Sequence, residues 1–188
     1  MTTKHYELTE FLKNYVLEYG NFKLRSGKQS HYYIDGKKIT HSPHGLLLTS
    51  KAIVEELEDR NVTAIGGIEL GATPIACAYA TLSSIVKRPV NGFTVRKQIK
   101  EHGTQKLIEG KPPDSQSRVV IIDDVVTTGK SILDAVKVVE NIGCQIEAAI
   151  SIVDREEEAR ENIEKKNIQY LPLVTATDLE VQENQKNH

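Results

Sequence analysis

The feature that most constrains the fold of this chain is the stretch VVIIDDVVTTGKS at 119–131. Its first four residues are β-branched and apolar without a break, which is typical of a parallel strand covered on both faces. Two acids, a loop of Thr, Gly and Ser, and the start of a helical pattern follow directly. A buried strand that leads through a polar loop into a helix predicts a layered α/β fold.

The rest of the chain repeats this alternation of strand and helix. Apolar runs predict further strands at 62–68, 90–95, 146–154 and 168–174. Helical spacing predicts helices at 7–19 (ended by Gly20), 45–60 (capped by Ser42-Pro43), 72–86, 130–142 (ended by Gly143) and 156–166 (with the pairs Glu156–Arg160 and Glu161–Lys165). Residues 22–35 predict a hairpin, and 96–117 hold too few apolar residues for a packed element. We therefore expect one α/β domain over 1–188, with a mostly parallel sheet flanked by helices.

Composition excludes several classes of protein. The chain has 24 Lys and Arg residues against 26 Asp and Glu residues, and this net charge of -2 argues against a nucleic-acid partner. No apolar run approaches the roughly 18 residues of a membrane helix, and the N-terminus lacks the apolar core of a signal peptide. Cys77 and Cys144 form no C-x-x-C pair, which favours a reducing, cytoplasmic setting. We expect neither a nucleic-acid nor a membrane partner.

The loop at 127–131 has the chemistry of a phosphate site. It lies at a predicted helix N-terminus, where free N–H groups, hydroxyls and the helix dipole favour a phosphate. Asp123 and Asp124 precede it, and ionised carboxylates only accept hydrogen bonds, which suits the diol of a ribose. The stretch therefore predicts a ribose 5-phosphate ligand. A Walker P-loop would need a glycine at position 124, and a simple helix cap needs no acid pair at the end of a buried strand.

This stretch resembles the motif with which type I phosphoribosyltransferases bind phosphoribosyl diphosphate (PRPP): a hydrophobic strand, an acid pair and T-x-G-x-[ST]. The resemblance implies a Rossmann-like core sheet with a small N-terminal hood, from about 1–40 plus the C-terminal strand, and a polar tail at 176–188. It also implies PRPP binding by the residues of the motif: Asp123, Asp124, Val125, Val126, Thr127, Thr128, Gly129, Lys130 and Ser131.

A second, basic segment carries Arg96, Lys97, Lys100 and His102 within seven residues. A diphosphate leaving group gathers negative charge as its bond breaks, and cations aimed at its oxygens stabilise that transition state. Arg96 can bind a phosphate in a fork, the lysines act as point charges, and His102 can donate a proton near neutrality. The alternative is an ordinary solvated basic loop.

The pattern of this segment, R-K-x-x-K-x-H-G, resembles the catalytic loop of the orotate phosphoribosyltransferases. In that family the loop closes over the active site of the neighbouring subunit. The resemblance implies that the four basic residues bind PRPP and that Lys100, His102 and Asp124 are catalytic. It further implies a homodimer in which loop 96–110 completes the neighbouring active site.

The stretch FKLRSGKQSHYYID at 22–35 resembles the F-x-L-[KR]-S-G-[RK]-x-S segment of the same family, which forms part of the hood over orotate. This implies Arg25 for the PRPP diphosphate, with Tyr33 and Ile34 beside the base. The alternative is a turn whose tyrosines pack on the core.

Arg155, at the end of a predicted strand, falls on the family's orotate-contacting arginine. A guanidinium can stack on or hydrogen-bond a planar, anionic pyrimidine. The alternative is a residue at a helix start that pairs with nearby glutamates. By the same resemblance, Thr127 faces both phosphate and orotate.

The reaction implied by the resemblance transfers the 5-phosphoribosyl group from PRPP to orotate, giving orotidine 5'-monophosphate and diphosphate for pyrimidine biosynthesis. Mg²⁺ is expected on PRPP, held mainly by substrate phosphates and water, and no residue is assigned as a metal ligand. One departure from the family is Leu70-Gly71, where some members have a lysine that would neutralise diphosphate charge.

Three alternatives to this function stay open. A purine phosphoribosyltransferase would not carry the R-K-x-x-K-x-H-G run. A PRPP-binding regulator of the same fold would need a basic face or an added nucleic-acid-binding segment. The chain could also be a domain cut from a bifunctional protein.

Overall fold

The computed structural model describes residues 4–23, 29–97 and 107–181. A six-stranded sheet lies between two groups of helices, and a two-stranded hairpin forms a separate small sheet. The helices are α1 (Tyr6–Tyr15), α2 (Gly36–Thr40), α3 (Pro43–Glu56), α4 (Ala72–Ile85), α5 (Lys130–Glu140) and α6 (Ala159–Glu164). The strands are β1 (Leu17–Lys23), β2 (Gln29–Ile34), β3 (Ala64–Ile68), β4 (Asn91–Val95), β5 (Ile108–Gly110), β6 (Arg118–Val126), β7 (Gln145–Asp154) and β8 (Tyr170–Thr175). The α/β prediction is confirmed.

The large sheet has the strand order β5-β4-β3-β6-β7-β8, and every neighbouring pair is parallel except β4 with β5. β6 lies inside the sheet and is buried on both faces. Val120 and Ile122 pack towards α3 and α4, whereas Val119 and Ile121 pack towards α5 and α6. This two-sided burial explains the unbroken apolar run.

Two predictions near the N-terminus and in the middle of the chain are wrong. The helix predicted at 7–19 ends at Tyr15, and Gly20 lies inside β1 rather than stopping a helix. The reason is that β1 pairs antiparallel with β2, with Leu17 opposite Ile34. The segment 96–117 contains β5, because Ile108 pairs with Val95 across the edge of the sheet. Pairing with the adjacent strand of the chain outweighs local propensity at both places.

The C-terminal part also departs from its prediction. Glu156 lies before α6 at φ 56° and accepts a hydrogen bond of 2.7 Å from Thr177 N–H, so the predicted pair with Arg160 does not form. Arg160 pairs instead with Glu164 at 2.8 Å. The pair of Glu161 with Lys165 is confirmed, at 2.7 Å.

The tail predicted as polar from 176 begins with packed residues. Ala176 and Leu179 are 7% and 2% exposed, and Leu179 joins the core on the α3 side of the sheet. Across the described ranges, no helix is long and apolar enough to span a membrane.

Candidate functional site

In the loop between β6 and α5, the backbone carbonyl groups accept hydrogen bonds from the protein, whereas the backbone N–H groups remain available. Glu158 N–H donates to Thr127 O at 3.1 Å, and Asn162 Nδ2 donates to Thr128 O at 3.0 Å. Gly129 O accepts from Leu133 N–H at 2.9 Å as α5 begins. Within the described ranges, the backbone N–H groups of 127–129 donate to no backbone acceptor. Free amides at a helix N-terminus form an anion site.

Gly129 gives this loop its shape. Its φ of 77° lies in the left-handed region, where a side chain is strained. A Cβ at this position would meet Ile163 Cγ1 of α6 at 3.1 Å. The loop therefore needs a glycine both for its backbone angle and for its close packing against α6.

The acid pair lies within the last four residues of β6, shortly before this loop. Asp124 N–H donates to Asp123 Oδ1 at 3.0 Å, and Val125 N–H donates to Asp124 Oδ1 at 2.7 Å. A Cβ on Gly36 would lie 2.5 Å from Asp124 Oδ2, and one on Gly71 would lie 2.9 Å from Asp123 Oδ1. The starts of α2 and α4 can approach the carboxylates this closely because both residues are glycines.

Burial raises the pKa of Asp123 from 3.8 to about 7, and the negative charge of Asp124 adds to this effect. The positive charge of Lys97 acts in the opposite direction on the same carboxyl group. The acid pair therefore carries less than two full negative charges near neutral pH. A ligand that donates hydrogen bonds, such as a sugar diol, favours the ionised form.

A buried arginine follows β7 next to the loop at 127–129. Arg155 N–H donates to Val126 O at 3.0 Å, and this bond joins the ends of β6 and β7. The Arg155 side chain is 7% exposed and passes under the hairpin, with Cζ 4.4 Å from the centre of the Tyr32 ring. Nη2 donates to Ser30 Oγ at 3.4 Å. A buried, planar cation can stack on or hydrogen-bond an anionic ring.

The two hood residues predicted to lie beside the base point away from one another. Side chains alternate along β2, so Ser30, Tyr32 and Ile34 are buried on one face. Ile34 is 5% exposed and belongs to the core. Tyr33 is 41% exposed, and the centre of its ring lies 5.4 Å from the centre of the Phe22 ring. Ile34 can therefore contact a ligand only through its backbone.

The motif side chains are not equally placed for a ligand. Val126 is 3% exposed and packs in the core, so it could meet PRPP only through its backbone. Lys130 is exposed and pairs with Asp134 at 2.8 Å, one turn along α5. Thr127, Thr128 and Ser131 lie at the helix start, where the sequence predicted a phosphate.

The basic segment is described only at its two ends. Arg96 pairs with Glu109 at 3.1 Å across the β4–β5 pair, and Lys97 N–H donates to Glu69 Oε1 at 3.2 Å. Arg25, Lys100 and His102, which were predicted to bind PRPP, lie outside the described residues.

Sequence reasoning missed Tyr32, Ser30 and Gly36 as parts of this site. The strict alternation of buried and exposed residues in β2 was the available signal, because it separates Tyr32 from Tyr33. Gly36 gave no signal in the sequence, since its role depends on a carboxylate that is distant along the chain.

The phosphoribosyl transferase domain model matches residues 35–184. An orotate phosphoribosyltransferase of Aquifex aeolicus is 45% identical over 84% of this chain and 86% of its own length. The enzyme of the same name from Methanocaldococcus jannaschii is 42% identical over 87% of this chain and 89% of its own.

Among solved structures, an orotate phosphoribosyltransferase of Mycobacterium tuberculosis in complex with PRPP superposes with a TM-score of 0.79. It is 30% identical, and the match covers 94% of this chain and 99% of the other. The match covers nearly the whole chain, and it includes the mostly parallel sheet, the loop with free amides and the acid pair. The chain belongs to the phosphoribosyltransferase family and, within it, to the orotate phosphoribosyltransferases.

Proposed function

We propose that this enzyme transfers the phosphoribosyl group of PRPP to orotate and so makes orotidine 5'-monophosphate for pyrimidine biosynthesis. The observation that carries the proposal is the junction of two sites at the ends of β6 and β7. The loop at 127–129, which we call the phosphate loop, offers free amides for the 5-phosphate. Beside it lies the base side of the site, formed by Arg155, Ser30 and Tyr32, where the backbone N–H of Arg155 donates to Val126 O at 3.0 Å. The phosphate and the base of one nucleotide can thus occupy neighbouring sites.

In this reaction a ring nitrogen of orotate forms a bond to C1 of the ribose as the C1–O bond to diphosphate breaks. The bonding electron pair leaves with the diphosphate, so positive charge builds on the sugar and negative charge on the leaving group. Asp123 and Asp124 would hold the ribose hydroxyls, and Arg155 would orient the base. Lys97, Lys100 and His102 would stabilise the charge on the diphosphate, with Arg96 and Arg25.

We expect Mg²⁺ to enter this site together with PRPP, held mainly by substrate phosphates and water. Within the described residues, no group of three or more His, Cys, Asp or Glu side chains could hold a metal. The carboxylates of Asp123 and Asp124 could meet the ion through water, since Mg²⁺ usually keeps several of its waters. When bound, it would neutralise part of the diphosphate charge.

The direct test follows orotate absorbance with PRPP and Mg²⁺, and omits each component in turn. We expect the orotate signal to fall only in the complete mixture, with one diphosphate released per orotate consumed. Consumption of a purine instead would support the alternative within the same fold. PRPP binding without any transfer would support a regulator.

We also propose that the enzyme is a homodimer in which loop 96–110 completes the neighbouring active site. The support comes from α4, a helix of 14 residues without a single charge. Leu70 before it and Ile85 at its end are both 70% exposed, and Cys77 is exposed between them. An uncharged helix that begins beside the acid pair and exposes apolar residues at both ends suits contact with a second copy. We place the enzyme in the cytoplasm, because Cys77 and Cys144 are free thiols.

Mixed dimers test the exchange of loops. Lys100→Ala alone should lose most of its kcat, and Arg155→Gln alone should have little activity at an orotate concentration near the wild-type KM, although higher orotate concentrations still give a measurable KM. If loops act in trans, a mixed dimer of the two variants has one intact site, and random mixing restores about a quarter of the wild-type activity. If each loop serves its own subunit, mixing restores nothing.

A further inference from the structure

The base side of the site contains a buried cation with few hydrogen bonds. Arg155 is 7% exposed, and its Nε finds no hydrogen-bond acceptor among the described residues. Arg155 Nε lies 3.5 Å from Glu157 Oε1, so these two atoms form an ion pair but no hydrogen bond. The bond to Ser30 Oγ is long, at 3.4 Å. A guanidinium has five N–H donors, so most of the donors of Arg155 are available to a ligand.

An aromatic ring packs against this cation. The Tyr32 ring is 5% exposed, and its centre lies 4.4 Å from Arg155 Cζ. A cation over a ring is attracted by the negative face of the ring, and more strongly where water is excluded. A ring face also differs from a carboxylate, because it holds the guanidinium without occupying an N–H donor.

Ser30 adds a second contact from the same strand. Its hydroxyl donates to Tyr32 O at 2.7 Å, and this orients an oxygen lone pair towards Arg155 Nη2. Both supports therefore come from the buried face of β2, whereas Arg155 follows β7.

We propose that Tyr32 is a positioning residue for Arg155, and that with Ser30 it makes orotate binding depend on strand β2 of the hood. The inference rests on the proposed transfer to orotate and adds the residue that sets the place of the base-binding cation. Tyr32 holds the Arg155 guanidinium under the hairpin and leaves most of its N–H donors available. A planar, anionic base then meets a cation that is already in position, which lowers the entropy lost on binding.

Three single variants separate this role from simple packing. Tyr32→Leu removes the ring, and Tyr32→Phe keeps the ring face but removes the hydroxyl. Tyr19→Leu makes the same change at an exposed tyrosine of the same hairpin, directly opposite Tyr32 in the strand register. We expect Tyr32→Leu to raise the KM for orotate about tenfold, with the KM for PRPP and kcat within about twofold. Tyr32→Phe keeps the ring over Arg155, so its KM for orotate should stay much closer to the wild type than that of Tyr32→Leu. Tyr19→Leu should behave as the wild type.

A double-mutant cycle with Arg155→Gln tests whether Tyr32 acts through the arginine. If it does, Tyr32→Leu has no further effect on the orotate KM once Arg155 is gone. The same rise in both backgrounds would overturn the positioning role, as would a rise in the PRPP KM equal to that for orotate. If Arg155→Gln itself leaves the orotate KM unchanged, the proposed base site fails instead.

Ser30→Ala keeps the cycle decisive if Tyr32→Leu does not fold. It removes one hydroxyl, and we expect an orotate KM about threefold higher than in the wild type. That rise should disappear in the Arg155→Gln background, and its persistence there would overturn the proposal.

Discussion

The phosphate loop and the base side of the site adjoin at the ends of β6 and β7, but they are built in opposite ways. The phosphate loop comes from one continuous stretch and offers backbone N–H groups. Glu158 and Asn162, at the start of α6 and within it, donate hydrogen bonds to the carbonyls of this loop. The base side joins Arg155 to Ser30, which is 125 residues earlier in the chain, and offers a side chain.

This difference determines what each region tolerates. A backbone site depends on dihedral angles, so it is sensitive to a change at a single glycine and insensitive to many side chains. A side-chain site depends on packing between distant strands, so it is sensitive to its neighbours. The three predictions below follow from this contrast, in order of decreasing effect.

The largest effect should come from Gly129→Ala. A Cβ there is strained at φ 77° and meets α6 at 3.1 Å, so the loop must move. We expect the KM for PRPP to rise about 5- to 150-fold, since the strain amounts to about 1–3 kcal/mol. Initial rates at varied PRPP concentration measure it.

Gly143→Ala is the matched control for Gly129→Ala. Gly143 lies beyond the other end of α5 and has a similar φ of 87°. A Cβ added there would lie 3.5 Å from Ser115 Cβ, which is an ordinary van der Waals distance. This variant should lose stability without any change in the PRPP KM. An equal rise in the PRPP KM in both variants would contradict the assignment of the phosphate loop.

Asp123→Asn should change the pH dependence of stability. The pKa of Asp123 is raised to about 7, so the native state holds this proton more tightly than the unfolded chain does. The resulting stabilisation is complete below about pH 4 and is lost as the pH rises from about 4 to about 7. Asparagine cannot ionise, so the variant should be more stable than the wild type by about 1–3 kcal/mol at pH 8.

Denaturant unfolding at pH 5 and pH 8 measures this effect, with Asp134→Asn as control. Lys130 and Lys137 lower the pKa of Asp134, so that substitution should slightly destabilise the protein at pH 8. Transfer activity should fall in Asp123→Asn, because a ribose acceptor is lost. A less stable Asp123→Asn at pH 8 would contradict the raised pKa.

The smallest effect should come from Lys130→Ala, although Lys130 lies inside the motif. Its side chain pairs with Asp134 on the exposed surface of α5, so only its N–H can serve the loop. We expect a PRPP KM within about twofold of the wild type and a loss of about 0.3–0.5 kcal/mol of stability. Lys137→Ala, which breaks the other pair of Asp134, should behave alike. A tenfold rise in the PRPP KM for Lys130→Ala alone would show that its side chain binds the ligand.

The same contrast explains what the sequence could predict. The strand, acid pair and loop of 119–131 are contiguous, so their geometry follows from local rules, and the structure has them at the end of β6. The support of Arg155 is not local. The pattern of β2 contains two adjacent tyrosines, and only the burial of alternate residues shows that Tyr32, not Tyr33, contacts the arginine. β5 was missed for the same reason, since three residues form a strand only by pairing with β4.

The most direct test of the two-part site is a calorimetric titration of ribose 5-phosphate and of orotidine 5'-monophosphate into two variants. Ribose 5-phosphate contains the phosphate and sugar but no base. Gly129→Ala should weaken binding of both ligands, whereas Arg155→Gln should weaken only orotidine 5'-monophosphate. Equal loss of ribose 5-phosphate binding in the two variants would contradict the division of the site into a phosphate loop and a base side.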